Sequence, residues 1–194
     1  MLTSNELSLI LGIEQRLGFP ALSLVDCIMF ETGGTFSPGI KNSSSGATGL
    51  IQFLESTAEG IEKGLYKRLP AMTVSQQLVY VEKYFLQLKK VYPAPPNEAF
   101  DVYCLMLHPP LFNKPDSTVF ATEGTKRYLW NKGFDVDSSG VITKGEIKKR
   151  WATGVEKLKA KTKLPITTVT ASSFILLSIA IFLAAMYYIL NLHQ

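Results

Sequence analysis

The apolar residues of this chain recur mostly at three- and four-residue spacing, which is typical of helices that bury one face. The segment 4–17 shows this spacing behind a capping Ser or Asn, and 74–91 shows it between two proline-containing stretches. A further apolar segment, 97–107, ends at a histidine and two prolines. No convincing alternation of apolar and polar residues occurs, so we predict an all-α fold with a short hairpin in the 32–46 loop.

One predicted helix, 21–31, is apolar almost all the way round, which indicates that it is buried. Its last residue is a carboxylate, Glu31, and two glycines then stop the helix. Burial and the negative end of the helix dipole both disfavour the ionised form, so we expect a raised pKa and a general acid. A second, amphipathic helix is predicted over 47–58, with Gln52 as a lone amide among apolar neighbours.

Three sequence blocks surround this carboxylate. Residues 31–38 read ETGGTFSP, 45–53 read SGATGLIQF and 56–58 read STA. Their content and order resemble the family of soluble lytic transglycosylases and goose-type lysozymes, in its phage (virion-associated) form. The resemblance implies a lysozyme-like helical domain that cleaves peptidoglycan between N-acetylmuramic acid and N-acetylglucosamine, with Glu31 as the catalytic acid and base.

The resemblance also implies which residues bind the sugars. Gln52 and the loop that contains Ser45 and Gly49 would hold the acetamido sugars. Tyr103 lies in a block, D-x-Y-x-x-x-L-x-P, that is similar to one in phage-type relatives, and it would line the sugar groove. A plain core tyrosine is the alternative, because no Asn-Ala-Gly follows Tyr103 as in the wider family.

The sequence does not decide whether the bond is cleaved by hydrolysis or by transglycosylation. Hydrolysis by two carboxylates needs a second acid beside the bond, and Glu55 or Asp101 would have to be brought there by the fold. Asp26 lies about 140° from Glu31 around the helix and points elsewhere. A single acid suits a transglycosylase, in which the sugar's own 6-hydroxyl attacks and no cofactor is needed. The alternatives are a hydrolytic muramidase and a non-catalytic virion membrane protein that binds peptidoglycan.

A second motif, at 135–146, fits the twelve-position EF-hand loop, with glycine at the sixth position. Helices are predicted on both sides, over 125–133 and 147–159. We expect either a structural calcium ion or a helix–turn–helix that keeps the loop shape without metal. The oxygen ligands would come from Asp135, Asp137, Ser139, the Val141 carbonyl, Thr143 and Glu146.

The run 166–190 contains no charged residue and is long enough to cross a bilayer, so we predict a single C-terminal transmembrane helix. Lysines precede this run, only His193 follows it, and we expect no secretory signal at the start of the chain. The charge bias places the enzyme on the cytoplasmic side, away from peptidoglycan. A viral internal membrane resolves this conflict, because the enzyme would then meet the wall when the virion infects the next cell. The alternative is an exported domain on the host inner membrane.

The predicted organisation has three parts: a transglycosylase domain over 1–132, the EF-hand-like loop with a basic connecting helix over 133–163, and the membrane helix over 164–192. The net charge of +4 comes largely from the basic connecting stretch. We expect that stretch to face anionic lipid headgroups. We therefore expect peptidoglycan glycan strands, a lipid membrane and other virion proteins as partners, and no nucleic acid, because no groove-reading or base-stacking motif is evident.

Overall fold

A computed structural model describes residues 2–162 and residue 164, and this part of the chain is mostly helical. Short 3-10 turns occur at Leu69–Ala71, Pro109–Leu111 and Lys132–Phe134. The helices are α1 (Ser4–Leu17), α2 (Ser23–Glu31), α3 (Glu55–Ile61), α4 (Leu65–Arg68), α5 (Val74–Val91), α6 (Ala99–Leu107), α7 (Lys126–Asn131) and α8 (Lys144–Lys161), and the strands are β1 (Val119–Thr122) and β2 (Val141–Thr143).

Capping boxes fix the start of the long helices. In α1 the Thr3 side chain accepts the backbone N–H of Glu6, whose carboxylate accepts from Thr3 in return. The same arrangement begins α5 and α8. The sequence predictions of helices over 4–17 and 74–91 are confirmed with the same bounds.

The helix α2 lies in the middle of the core, where it packs against α1, α6 and α8. Its residues 23–29 are all buried, as its apolar composition predicted. The buried Glu14 of α1 anchors its N-terminus, since the carboxylate accepts the backbone N–H groups of Leu22 at 2.8 Å and Leu24 at 2.7 Å. The start of the helix that carries Glu31 is therefore fixed by a side chain of the preceding helix.

The predicted helix over 47–58 is wrong in its first half. Residues 49–52 form turns, and the helix α3 begins only at Glu55. Gly49 and Gln52 have φ values of +87° and +52°, which an α-helix cannot contain. Thr48 instead forms antiparallel bridges with Lys41 and with Phe53, so the extended backbone pairing lies later in the chain than the hairpin expected over 32–46.

The structure also contains a small sheet that the all-helical prediction did not include. β1 and β2 pair antiparallel, with Ala121 opposite Ile142 and Thr122 opposite Val141. The strands have four and three residues, which is too short for alternation to be visible in the sequence. Ile142 is fully buried, so the sheet holds the EF-hand-like loop against the core.

The described residues belong to one compact unit, Met1–Leu164. The helix α8 packs along α2, where Lys159 forms a 2.9 Å ion pair with the buried Asp26. The predicted transmembrane run 166–190 lies outside the described residues. Within the described part of the chain, no helix is long and apolar enough to cross a membrane.

Candidate active site

Glu31 is the last residue of α2, and its side chain is partly exposed. The helix ends there because Gly33 and Gly34 adopt positive φ values and the Gly34 N–H closes on the Met29 carbonyl at 2.8 Å. Burial raises the pKa of Glu31 to about 7, although a hydrogen bond from Tyr103 acts in the opposite direction. The carboxyl group therefore carries a proton in slightly acidic solution, as a general acid requires.

Tyr103 reaches Glu31 from α6, and its side chain is only 1% exposed. Its ring stacks on Trp151 of α8, with centroids 5.5 Å apart and planes at 25°. The edge of the Phe30 ring packs against it at 5.4 Å. These contacts fix the tyrosine ring, so its hydroxyl meets the Glu31 carboxyl group in a defined position.

Glu31 and Tyr103 lie at a cavity of about 670 Å³. Of the predicted sugar-binding residues, Ser45, Gln52 and Tyr103 line this cavity together with Glu31, whereas Gly49 is buried behind its wall. The wall is mostly apolar and aromatic, with amide, hydroxyl and basic side chains interspersed. The other lining residues are Phe30, Asn42, Ala47, Ile51, Phe53, Leu54, Thr57, Tyr84, Met106, Leu107, His108, Pro109, Phe120, Lys126, Arg127, Trp130, Asn131 and Phe134.

Gln52 is held by its own turn. Its amide nitrogen donates to the carbonyls of Gly49 at 3.0 Å and Ile40 at 3.4 Å. The amide oxygen has no hydrogen bond to any described residue, so it can accept one from a ligand in the cavity. A neutral hydrogen-bonding group in the same cavity as a carboxyl group suits a polar, uncharged ligand such as an acetamido sugar.

The turn itself rests on Gln77, which is not among the predicted site residues. The buried Gln77 amide donates to the carbonyls of Pro38 at 2.6 Å and Leu69 at 2.7 Å, and it accepts the N–H of Leu50 at 2.9 Å. A Cβ atom on Gly49 would lie 2.5 Å from the amide oxygen of Gln77, so only glycine allows this approach. The structure therefore gives Gly49 a role in shaping the wall.

Glu31 is the only carboxylate among the described residues that line the cavity. Asp101 instead accepts the backbone N–H groups of Asn97 and Glu98 at the start of α6. Glu55 is exposed at the start of α3 and is not part of the lining, and Asp26 is paired with Lys159. The fold does not bring a second acid to the site from any of the three positions considered in the sequence analysis.

Comparisons with known proteins assign no function to this geometry. No family model, curated protein or solved structure matches the chain. The chemistry of the site therefore rests on the residues that line the cavity and on the sequence blocks that contribute them.

The EF-hand-like loop brings its three carboxylates together. One oxygen from each of Asp135, Asp137 and Glu146 lies within 4.8 Å of the others, so the cluster could hold a metal ion. Gly140 has a φ of +78° at the sharp turn. Of the other predicted ligands, the Ser139 hydroxyl donates to the Val141 carbonyl at 3.1 Å and the Thr143 hydroxyl donates to Glu146 at 2.8 Å.

This loop also adjoins the cavity. Phe134, which directly precedes Asp135, lines the cavity and stacks on Phe30 at 6.4 Å. The Tyr128 hydroxyl of α7 donates to Asp135 at 2.6 Å. The sequence predicts 125–133 only as a helix beside the loop, whereas α7 forms one wall of the candidate active site.

Proposed function

We propose that this chain is a peptidoglycan lytic transglycosylase that cleaves the bond between N-acetylmuramic acid and N-acetylglucosamine. The observation that carries the proposal is the lone, half-buried Glu31, with a pKa of about 7, in a cavity of about 670 Å³. The hydrogen-bonding side chains of Ser45, Gln52 and Tyr103 line the same cavity. The resemblance of the blocks at 31–58 to lytic transglycosylases supports the same assignment.

In the proposed reaction, the Glu31 carboxyl group gives its proton to the glycosidic oxygen as the bond from that oxygen to C1 of the muramic acid breaks. The C6 hydroxyl oxygen of the same sugar then attacks C1. Glu31, now a carboxylate, takes the hydroxyl proton and is restored. The product is a 1,6-anhydro end, and no water is consumed. The hydrogen bond from Tyr103 stabilises the carboxylate form of Glu31 between the two proton transfers.

The single carboxylate favours this reaction over hydrolysis. A hydrolase of the two-carboxylate type needs a second acid to position water or to act as nucleophile. Glu55 and Asp101 lie outside the described lining of the cavity. The intramolecular attack needs one group that alternates between acid and base, and a pKa near the working pH suits both steps.

Replacement of the acid tests the proposal. We expect Glu31→Gln to lower the rate of peptidoglycan cleavage by roughly 10² to 10⁴, since removal of a general acid has effects of this size. Glu55→Gln is the matched control, because it removes an exposed carboxylate outside the cavity and should leave the rate unchanged. Undiminished clearing by Glu31→Gln would contradict the proposal. Binding without cleavage by the native chain would instead indicate a peptidoglycan-binding virion protein.

The cluster of Asp135, Asp137 and Glu146 is proposed to hold calcium. Oxygen-only donors at this spacing suit a hard cation, and the loop has the glycine turn and the buried eighth position of an EF-hand. The ion would be structural. It would fix Phe134 and α7, which are part of the cavity wall, and catalysis by Glu31 would need no metal.

A membrane location is proposed from the uncharged run 166–190 alone, with a viral internal membrane as the setting. Fusion of a reporter to either terminus in a bacterial host, followed by protease treatment of spheroplasts, tests the orientation. We expect the catalytic domain to lie in the cytoplasm, where the added protease does not digest it. Its digestion from outside would favour an exported enzyme on the host inner membrane.

A further inference from the structure

The part of the cavity wall that α7 forms carries two positive charges. Lys126, Arg127 and Trp130 line the cavity, and all three side chains are exposed. Neither Lys126 nor Arg127 forms an ion pair with any described residue. Arg127 is held in place because it donates to the Phe120 carbonyl at 3.1 Å and lies over the Phe120 ring at 5.5 Å.

Little opposes these charges within the cavity. Glu31 is the only described carboxylate in the lining, and its raised pKa leaves it partly neutral near pH 7. The pKa of His108 is lowered by burial and by Arg127, so this side chain adds no further charge at neutral pH. The α7 wall therefore presents two unpaired cations and the indole of Trp130, which is 47% exposed.

A neutral sugar chain gives no reason for such a wall, whereas peptidoglycan carries carboxylates at regular intervals. We propose that Lys126 and Arg127 bind carboxylates attached to the lactyl group of the muramic acid units, while Trp130 packs against a sugar face. This inference rests on the proposed function and adds a preference for acidic glycan strands. The carboxylates have two sources: the peptide stems, or the lactyl group itself where the stem has been removed.

Three forms of one substrate test the inference with the full chain in detergent. The first is peptidoglycan with intact stems, and the second is the same material after an amidase has removed the stems and freed the lactyl carboxylates. In the third, carbodiimide and ammonia have converted the carboxylates into neutral amides. We expect kcat/KM to be about tenfold higher for an acidic form than for the amidated form, as two partly exposed charge pairs would give. A higher kcat/KM for peptidoglycan with intact stems than for the stem-free material identifies the stems as the source of the carboxylates. A higher kcat/KM for the stem-free material identifies the lactyl group.

Variants connect the preference to the wall. In the double variant Lys126→Gln/Arg127→Gln, the ratio of kcat/KM between the acidic and the amidated form should fall from about ten to about one. The single variant Arg127→Lys should keep most of this ratio, because it keeps the charge. Lys89→Gln/Lys90→Gln is the matched control, since it removes two exposed charges of α5 that do not line the cavity. It should keep the ratio, which excludes a general attraction between the protein and an anionic wall.

The results separate the inference from the proposed function. If the native chain cleaves all three forms at equal rates, or if the double variant at 126 and 127 keeps the preference, the inference is overturned and the transglycosylase stands. If no form is cleaved, the proposed function itself fails.

Discussion

The Tyr103 hydroxyl of α6 forms a hydrogen bond with the Glu31 carboxyl group at the end of α2, and this bond lowers the pKa of Glu31 against the effect of burial. The two residues lie far apart in the sequence, and neither motif alone indicates the contact. The hydrogen bond links Glu31, the proposed general acid, to a tyrosine that is fixed between Trp151 and Phe30. The pKa of Glu31 therefore depends on the core packing that holds Tyr103 in place.

Removal of this hydroxyl should shift the pH dependence of cleavage. Tyr103→Phe loses the hydrogen bond that favours the ionised carboxylate, so the pKa of Glu31 should rise above its value of about 7. Because the first step needs protonated Glu31, the alkaline limb of the kcat/KM profile should move to higher pH. Tyr84→Phe is the control, since Tyr84 also lines the cavity but its hydroxyl donates to the Leu105 carbonyl. An unchanged limb, or a shift to lower pH, would show that Tyr103 does not set the acidity.

The close contact between α8 and Phe30 predicts a mutation that disturbs the site from behind. A Cβ atom on Gly154 would lie 2.5 Å from the Phe30 ring, which packs beside Glu31 and Tyr103. Gly154→Ala should lower the free energy of unfolding by roughly 1–3 kcal/mol and also lower kcat. Gly60→Ala in α3 has open space and should instead be neutral or stabilising by about 0.5–1 kcal/mol. Urea melts and kinetics of both variants check this, and a Gly154→Ala protein as stable and active as the native chain would refute it.

Glu14 should make stability fall as the pH rises. Burial raises its pKa from 4.5 to about 7, although the backbone N–H groups of Leu22, Leu24 and Val25 act in the opposite direction. The folded state therefore binds more protons than the unfolded state between these two values. This contribution to stability is complete below pH 4.5 and is lost as the pH rises through 7, on the order of 3 kcal/mol in total.

The variant Glu14→Gln checks this contribution. It should flatten the pH dependence of the free energy of unfolding, and it should cost about 1–3 kcal/mol because its amide NH2 group faces a backbone donor of α2. Glu55→Gln, at an exposed position, should leave the slope unchanged. A native-like slope in Glu14→Gln would mean that the buried carboxylate is already ionised in the folded state at low pH.

Calcium should bind the full chain at one saturable site. Isothermal titration should show the site in the native protein and lose it in Glu146→Gln, which keeps a side chain able to cap α8 but removes the charge. At a calcium concentration of a hundred times the Kd, the protein should gain about 2.7 kcal/mol of stability. Glu156→Gln removes an exposed carboxylate of α8 and is the control. A flat titration at millimolar calcium would rule the metal out.

Some parts of the fold were predictable from the sequence because local signals agreed. α1 and α5 combine a capping box with a continuous apolar stripe, and their bounds are as predicted. The blocks that contain Glu31, Ser45 and Gln52 lie together at one cavity, since few residues separate them in the chain.

Other parts depended on contacts that no local pattern contains. The helix α7 has only six residues, and its sequence does not indicate that it faces Glu31. The predicted helix over 47–58 has an apolar spacing of helical type, but in its first half the bridges of Thr48 and the support from Gln77 override that pattern. Glu14 and Gln77 did carry a signal, because each is a polar residue on the apolar stripe of a helix, and such a residue is buried with partners.

Mass spectrometry of the muropeptides released by the full chain tests the central claim most directly. Intact peptidoglycan incubated with the native protein should yield 1,6-anhydro ends, and the same incubation with Glu31→Gln should yield fewer of them by a factor of roughly 10² or more. Anhydro ends follow from a cavity with one carboxylate, because the sugar's own hydroxyl replaces water as the attacking group. Reducing ends from the native protein would contradict the account, since they require an activated water and a second group to position it.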